Sequence, residues 1–141
     1  MGRLLAIDYG RKRCGIAVTD SLRICANGLA TVRACDLMAF LKEYCNKETV
    51  DKIIVGLPRQ LDGTPSESSR YIDPFLKHLR REMPDMPLER YDERFTSTLA
   101  HRAMLDGGLR RMARRDKELV DEIAATIILN DYLSSRSGGL T

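Results

Sequence analysis

The chain has 141 residues, of which 43% are hydrophobic and 30% are charged, and its formal net charge is +3. This composition is typical of one soluble globular domain large enough for a real core. No apolar run approaches the roughly 20 residues of a membrane span. The first residues lead directly into a strand pattern without a signal peptide, so we expect a cytoplasmic location and no membrane partner.

The first two predicted strands enclose a short basic turn. The apolar run Leu4–Ile7 ends at Asp8, and a second apolar run, Ile16–Val18, follows the turn. This pattern predicts two antiparallel strands. The turn carries three consecutive cations, Arg11, Lys12 and Arg13. An Asp at the end of a buried strand needs a partner, which these cations or a bound metal ion could supply, although Asp is also a common turn former.

The following segments alternate between strands and helices. Residues 22–32 predict a turn and a third strand, and a helix from Leu37 to about Lys47 follows with Asp36 as its N-cap. Val50–Leu57 predicts a fourth strand. A polar loop over residues 59–69 then leads into a helix, and Pro84 ends that helix. Its apolar face carries Tyr71, Phe75, Leu76 and Leu79.

The last part of the chain is predicted to be mainly helical. Leu88–Tyr91 is the fifth strand, and it ends at Asp92, Glu93 and Arg94. A short helix, Leu99–Leu105, can be capped by Thr96 or Ser97. A basic loop over residues 109–115 then leads to a helix from Asp116 to about Leu133, and the remaining residues are small and polar.

This order of elements predicts an α/β fold with a five-stranded mixed sheet. The first three strands have connections short enough for antiparallel hairpins. The helical connections to the fourth and fifth strands require right-handed parallel crossovers, which place helices on both faces of the sheet. We expect a single domain over residues 1–135 and a flexible tail over 136–141.

The four cysteines, Cys14, Cys25, Cys35 and Cys45, form no CxxC pair. Neither histidine stands at a zinc-like spacing from them. We therefore interpret them as reduced thiols that are mostly small core residues, and we expect no structural zinc.

Two more carboxylates, Glu93 and Asp121, stand at positions typical of functional residues. Glu93 follows the end of the fifth strand, and sites in open α/β sheets form at the carboxyl ends of such strands. On a helical projection at about 100° per residue, Asp121 falls in an arc of Val, Ile and Ala. A buried salt bridge is one explanation for Asp121. Glu122 falls outside this arc and is expected to face solvent.

If Asp8, Glu93 and Asp121 converge, a divalent cation is the simplest compensation for their charge. At about 5 Å and an effective dielectric constant near 20, each pair repels by roughly 3 kcal/mol. An all-oxygen site suits Mg²⁺ or Mn²⁺, and two such ions can promote attack of water on a phosphodiester. The arginine clusters would then contact phosphates beside the site.

Four segments resemble the YqgF family, RNase H-like proteins described as Holliday-junction resolvases and pre-16S rRNA nucleases. They are IDYGRKRCGIAV (7–18), GLPRQLDGT (56–64), DERFTS (92–97) and VDEIAATIILNDYL (120–133), in family order. The resemblance implies an RNase H-like fold and a divalent-metal nuclease. Carried over by position, it implies Asp8, Glu93 and Asp121 as catalytic metal ligands.

The resemblance also implies nucleic-acid contacts. The family's basic residue after the first acid falls on Arg13, and the arginine of its DER motif falls on Arg94. The basic side chains expected to bind nucleic acid are Arg11, Lys12, Arg13, Arg94, Arg110, Arg111, Arg114 and Arg115. Cys14 departs from the β-branched residue usual in similar chains. A fourth carboxylate stays open among Asp62, Asp92 and Asp116.

We therefore expect a metal-dependent hydrolase that processes the 5′ end of pre-16S rRNA during ribosome biogenesis, with Mg²⁺ or Mn²⁺ as cofactor. The alternatives are a Holliday junction resolvase of DNA recombination and repair, and a non-catalytic nucleic-acid-binding module of the same fold. The expected partners are an RNA precursor or branched DNA and ribosome-assembly factors. The expected state is a monomer or weak homodimer.

Overall fold

The computed structural model describes residues 2–10, 12–23, 25–57, 69–92 and 114–138, with side chains for all of these except 57, 69–71, 92, 114–121 and 135–138. Five strands and three helices occur in these ranges. The strands are β1 (Arg3–Asp8), β2 (Arg13–Thr19), β3 (Ala26–Arg33), β4 (Val50–Leu57) and β5 (Leu88–Asp92). The helices are α1 (Leu37–Lys47), α2 (Ser69–Glu82) and α3 (Arg114–Gly138), and a one-turn 3₁₀ helix, Ala34–Asp36, precedes α1.

The strands form one mixed sheet in the order β3-β2-β1-β4-β5. The pairs β1–β2 and β2–β3 are antiparallel, whereas β4 is parallel to β1 and β5 is parallel to β4. These directions confirm the predicted sheet. The strands β1, β3, β4 and β5 therefore end at one edge of the sheet, where β2 begins, and we call this the carboxyl edge.

The apolar runs of the sequence predicted most elements closely. The bounds of β4 agree with the prediction, and α1 begins and ends where its periodicity indicated. Asp36 occupies the N-cap position of α1, but its side chain makes no capping hydrogen bond because the chain enters the helix through the 3₁₀ turn. Helix α2 ends at Glu82, before Met83 and Pro84, as predicted.

Helix α3 is longer than predicted at both ends. It begins at Arg114 and ends at Gly138, so it includes part of the expected basic loop and the first residues of the expected flexible tail. No proline interrupts residues 114–138, so nothing in the sequence forces the helix to end at Leu133. The predicted short helix Leu99–Leu105 and the polar loop over residues 59–68 lie outside the described residues.

Large aliphatic side chains fill the face of the sheet that α1 and α2 cover, which we call the α1/α2 face. Each such side chain contributes about 1.5–3 kcal/mol when it is fully buried. The buried members include Leu5, Ile7, Ile16, Ile53 and Val55 from the sheet and Leu41, Ile72 and Leu79 from the helices. Ile72 is fully buried although it was not among the predicted core positions of α2.

Smaller side chains line the opposite face of the sheet, which α3 covers and which we call the α3 face. The sheet contributes Leu4, Ala6, Ala17 and Ile54, and the helix contributes Ala125, Ile128, Leu129 and Tyr132. The alanines on both sides leave room for the helix to pack closely against the sheet.

The cysteines are less buried than predicted. All four are free thiols, but only Cys14 is buried, whereas Cys25 and Cys35 are exposed and Cys45 is half-buried. Cys25 and Cys35 lie just outside the two ends of β3, where a small apolar residue has no covering layer. Burial raises the pKa of the Cys45 thiol.

Among the described residues, no helix combines the length and the apolar character that crossing a membrane would require.

Candidate functional site

Asp8 is the one predicted metal ligand whose side chain the structure describes, and it lies at the centre of the carboxyl edge. It is the last residue of β1, the middle strand of the sheet, and it is only 5% exposed. Side chains alternate between the faces of a strand, so Asp8 shares the α3 face with Leu4 and Ala6. A carboxylate thus follows four apolar residues at the end of β1, on the face of the sheet that α3 covers.

Glycine flanks Asp8 on both neighbouring strands. In the register of the sheet, Asp8 pairs with Gly15 of β2 and with Gly56 of β4. Paired residues point to the same face, so these two positions place no side chain beside the carboxylate. The next residue in this row, Tyr91 of β5, donates a hydrogen bond to the Asp131 carbonyl of α3 at 3.4 Å.

The turn after Asp8 is tight because Gly10 lies directly against the backbone of Arg13. A Cβ atom at Gly10 would collide with the Arg13 carbonyl oxygen, so this position requires glycine. The Cys14 thiol donates to the Gly10 carbonyl at 3.7 Å and further closes the turn. Arg13 therefore begins β2 diagonally across from Asp8, at a separation that long side chains can span.

The register adds a cation that the sequence did not reveal. Arg33, the last residue of β3, pairs with Arg13, the first residue of β2. Both side chains belong to the α3 face, since Arg13 is two residues before Gly15. Like charges directly opposite each other destabilise a sheet, and an anion between them removes that repulsion. Only the pairing of β2 with β3 identifies Arg33, because nothing near it in the sequence marks it.

The other predicted nucleic-acid contacts are described only in part. Lys12 is exposed in the turn and Arg13 is half-buried. Arg114 and Arg115 lie in the first turn of α3 and not in the predicted loop. Arg11, Arg94, Arg110 and Arg111 lie outside the described residues.

Glu93 also lies outside the described residues, but the strand before it is placed. Strand β5 ends at Asp92 on the carboxyl edge and is separated from β1 by β4. At about 4.8 Å between neighbouring strands, the backbones of β1 and β5 are roughly 10 Å apart. Gly56 lies between them in the row of Asp8, where it contributes no side chain.

The buried surface of α3 agrees with the predicted apolar arc. Ala124, Ala125, Ile128, Leu129 and Tyr132 are each at most 4% exposed. On an ideal helix these residues span from about 40° to about 180° beyond Val120. The backbone of α3 includes residue 121, whose side chain is not described. Its angular position, about 100°, is in the middle of the buried arc.

The prediction that Glu122 faces solvent is wrong. It is half-buried over β3, where a Cβ atom built on Gly28 would lie 3.4 Å from both the Cβ and an Oε of Glu122. Its backbone carbonyl accepts a hydrogen bond from the Thr126 hydroxyl at 2.8 Å. The buried arc extends to Leu129, and the absence of a side chain at Gly28 leaves space for Glu122 at the border of that arc.

Helix α3 crosses its face of the sheet diagonally. Glu122 lies over β3, whereas Tyr132 accepts a hydrogen bond from Lys52 of β4 at 3.2 Å and packs edge-on against Tyr91 of β5, with ring centroids 5.8 Å apart. Within the described side chains, no three His, Cys, Asp or Glu residues group closely enough to hold a metal ion. These side chains include Asp8 but neither Glu93 nor Asp121.

Comparison with solved structures defines the class of fold. The chain is similar to T. thermophilus RuvC, solved in complex with a Holliday junction substrate, with a TM-score of 0.58 and 18% identity over 98% of this chain and 97% of that one. It is also similar to the fowlpox virus Holliday junction resolvase, with a TM-score of 0.51 and 15% identity over 94% and 99% of the two chains. The fold is therefore the RNase H-like fold of RuvC-type resolvases, as predicted.

Sequence comparison then assigns the chain to a family. The model of the RuvX family, described as Holliday junction resolvase, matches residues 2–135, and the chain belongs to this family. A relative from Parabacteroides distasonis is 54% identical over 136 residues, which cover 96% of this chain and 97% of the relative. One from Phocaeicola vulgatus is 57% identical over 136 residues, with 96% and 98% covered. Both relatives carry the name pre-16S rRNA nuclease. RuvX and YqgF are two names of one family, so the predicted family is confirmed.

Proposed function

We propose that this protein is a divalent-metal-dependent nuclease that hydrolyses phosphodiester bonds, with the precursor of 16S rRNA as its substrate. The observation that carries this proposal is the environment of Asp8. A buried carboxylate, 5% exposed, ends the central strand between two glycines, with two arginines across the adjoining strand ends. This arrangement combines an oxygen ligand for a cation with positive charge for the phosphates of a substrate.

The donor set fits Mg²⁺ or Mn²⁺. Asp8, Glu93 and Asp121 would hold the ions, and carboxylate oxygens are the ligands that these cations prefer. The position of residue 121 in the middle of the buried arc of α3 supports its share in this site. The row Asp8–Gly56–Tyr91 supports a place for Glu93 in the same site, because glycine leaves room on the α3 face between β1 and β5. When bound, the ions would supply an activated water and charge for the leaving oxygen.

The chain's own cations bind and orient the substrate in this proposal. Arg13 and Arg33 lie opposite each other on the same face as Asp8, so a phosphate between them lies beside the carboxylate. Lys12 extends this positive surface along the turn. Arginine suits the role because its planar group can donate two hydrogen bonds to one phosphate.

The choice of RNA substrate is supported by the names of the curated relatives, which are more than half identical to this chain over nearly its whole length. The description of the family favours a second candidate, cleavage of four-way DNA junctions. Both candidates use the same phosphodiester chemistry. A third candidate, a non-catalytic binding module, would gain nothing from a buried Asp8 in this environment.

The cellular setting is part of the same proposal. We place the protein in the cytoplasm, as a monomer or weak homodimer that works with ribosome-assembly factors. Residues 1–135 form the nuclease domain.

The test compares cleavage by the wild-type protein and the Asp8→Asn variant. The substrates are a 5′-extended 16S rRNA precursor, a four-way DNA junction and a single-stranded RNA, each with Mn²⁺ and with a chelator. We expect the chelator to stop cleavage by the wild type. Asp8→Asn should lower the cleavage rate at least about 100-fold, since even the outer partners of a bound metal contribute 10–100-fold, while RNA binding survives.

Asp85→Asn is the matched control, because Asp85 is exposed in the α2–β5 connection, away from the carboxyl edge. It should leave cleavage unchanged. Full activity of Asp8→Asn would contradict the nuclease proposal, and faster cleavage of the DNA junction than of the precursor would reverse the choice of substrate. Mn²⁺ should also raise the thermal midpoint of the wild type but not of Asp8→Asn, because a ligand that binds only the folded form stabilises it.

A further inference from the structure

A groove of about 390 Å³ opens on the α1/α2 face close to Asp8. Its volume falls within the roughly 300–1,000 Å³ typical of small-ligand sites. The aromatic rings of Tyr9 and Phe75 line it, together with Met38 and Pro74, and the polar side-chain groups of its lining residues are the Tyr9 hydroxyl, the Cys35 thiol and the His78 imidazole. The groove is therefore an apolar slot with few polar groups, and none of these residues belongs to the site on the α3 face.

The Tyr9 and Phe75 rings stack on each other in this groove. Their centroids are 4.8 Å apart and their planes differ by 26°. Tyr9 is half-buried, so the face of its ring that Phe75 does not cover can stack on another planar ring.

The groove and the Asp8 site share one backbone position. Tyr9 follows Asp8 directly, and residues that are adjacent at the end of a strand point to opposite faces. Asp8 shares the α3 face with Ala6, whereas Tyr9 packs with the α1/α2 face. A polymer that crosses the carboxyl edge can thus place one group beside Asp8 and the next in the groove.

Cations connect the two places. The Ala34 amide donates to the Lys12 carbonyl at 2.9 Å, which joins the basic turn to the wall of the groove. Arg33 directly precedes Ala34 in the chain. Of the carboxylates near the lining residues, Asp36 is exposed, Asp73 is paired with Arg90 at 2.9 Å, and Glu82 lies 3.8 Å from the imidazole of His78. The basic turn and Arg33 therefore adjoin the groove along the backbone.

We propose that this groove binds one unpaired nucleobase of the substrate, next to the phosphate that lies at Asp8. Phosphates on cations and bases on aromatic rings are how proteins bind single-stranded nucleic acids. The imidazole of His78 can donate to or accept from the edge of the base. This inference rests on the proposed nuclease function and adds a substrate class to it, namely nucleic acid that is unpaired beside the scissile bond.

The experiment measures binding of single-stranded RNA in the Asp8→Asn background, in which cleavage is stopped. A set of oligonucleotides of one length carries a single abasic site, moved one position at a time. We expect one abasic position to weaken binding about 5- to 150-fold, the loss given by one stacked base at tenfold per 1.4 kcal/mol. Adding Tyr9→Ala should weaken binding of the intact RNA by a similar factor and abolish the effect of that abasic position, whereas Tyr9→Phe should preserve both.

A second variant covers the case in which Tyr9→Ala does not fold. His78→Glu changes an exposed side chain of the groove, and Lys77→Glu is its matched control on the outer surface of α2. His78→Glu should remove the dependence on the abasic position. Lys77→Glu reverses a positive charge at the neighbouring position, yet it should preserve that dependence.

The outcomes distinguish the two proposals. If the Asp8→Asn protein binds none of the nucleic acids, the proposed function fails. If it binds RNA but no abasic position matters, or if Tyr9→Ala and His78→Glu leave the abasic profile unchanged, the base-binding groove is overturned while the nuclease stands. A further measurement is chemical modification of the exposed Cys35 thiol in the groove. If a protein partner protects this thiol and RNA does not, the base-binding groove is likewise overturned.

Discussion

The two faces of the central sheet are built from different residues. The α1/α2 face contains large aliphatic side chains such as Leu5, Ile7 and Ile53, all fully buried. The α3 face has Ala6 and Ala17 at its centre, glycines beyond them, and Asp8 at its carboxyl edge. The same strands supply both faces, because alternate residues of β1 and β2 point in opposite directions.

This difference indicates a division of roles within one sheet. Burial of large side chains supplies most of the folding free energy, so the α1/α2 face stabilises the domain. Small side chains stabilise less, but they allow α3 to approach closely and leave space beside Asp8. We therefore expect substitutions on the α1/α2 face to affect stability first, and substitutions near the carboxyl edge of the α3 face to affect activity first.

The largest expected effect is on the stability of the α1/α2 face. Leu5→Ala should lower the free energy of unfolding by about 2–5 kcal/mol, because Leu5 is fully buried and its loss leaves a cavity. Urea unfolding measures this change. Cleavage per folded molecule should stay within a few-fold of the wild type. The neighbouring Ala6→Gly, on the α3 face, should cost only about 0.5–1 kcal/mol, and equal costs for the two variants would remove the contrast between the faces.

A slightly smaller effect, on activity, is expected beside Asp8. Gly56→Val places a side chain in the row between Asp8 and Tyr91 and should lower the cleavage rate about 100-fold, or about 2.7 kcal/mol in activation free energy. Steady-state cleavage assays measure this. Ile54→Val, two residues earlier on the same strand and face, is the control and should leave the rate near that of the wild type. Wild-type cleavage by Gly56→Val would show that the space is not used.

The arginine pair should give a still smaller effect, on binding. Arg33→Gln should weaken binding of RNA and reduce the slope of log K against log salt concentration by about 1, as expected for one lost phosphate contact. Arg80→Gln changes an exposed residue of α2; it is the matched control and should change neither quantity. If both variants behave alike, the carboxyl edge has no special affinity for phosphate.

The smallest effect concerns an exposed ion pair between α1 and α2. The hydrogen bond from Lys42 and the charge of the same ammonium hold the pKa of Glu82 below its ordinary value of 4.5. A lowered pKa in the folded state means that the pair stabilises the protein above pH 4.5, and that this stabilisation is lost as the pH falls through the folded pKa. Lys42→Met should remove that small contribution at pH 7 but change little at pH 3.

Thermal unfolding of Lys42→Met and of the wild type at both pH values measures this effect, with Lys47→Met as the control from a pair within α1. An equal difference between Lys42→Met and the wild type at the two pH values would contradict the assignment to Glu82. Because the pair is exposed, we expect a smaller change in thermal midpoint than for Leu5→Ala.

Much of the fold could be predicted from the sequence because its signals are local. The unbroken apolar run before Asp8 indicated a strand buried on both faces, Val50–Leu57 indicated a short strand, and the periodicity after Asp36 indicated α1. The ends of α3 were less predictable, because residues 114–138 contain no proline to stop the helix and only weak capping signals. The exposure of Cys25 and Cys35 depends on where β3 ends, which composition does not reveal.

The sequence marked candidate site residues only where one residue stood out from its neighbours. Asp8 did so at the end of an apolar strand, and the structure describes it there; Asp121 did so within an apolar arc and stays a prediction. Arg33 did not, since a single arginine at the end of a strand has no distinguishing pattern. Glu122 was assigned to solvent because the helical projection takes no account of Gly28 on β3.

The sequence by itself determined which segments become strands and helices, because apolar periodicity acts over a few residues. It also singled out Asp8 as a carboxylate that needs a partner. Only the tertiary structure placed glycines on both sides of Asp8, paired Arg33 with Arg13 and opened the groove beside Tyr9. These features depend on strand order and register, which are settled when distant segments pack together and bury their apolar surfaces.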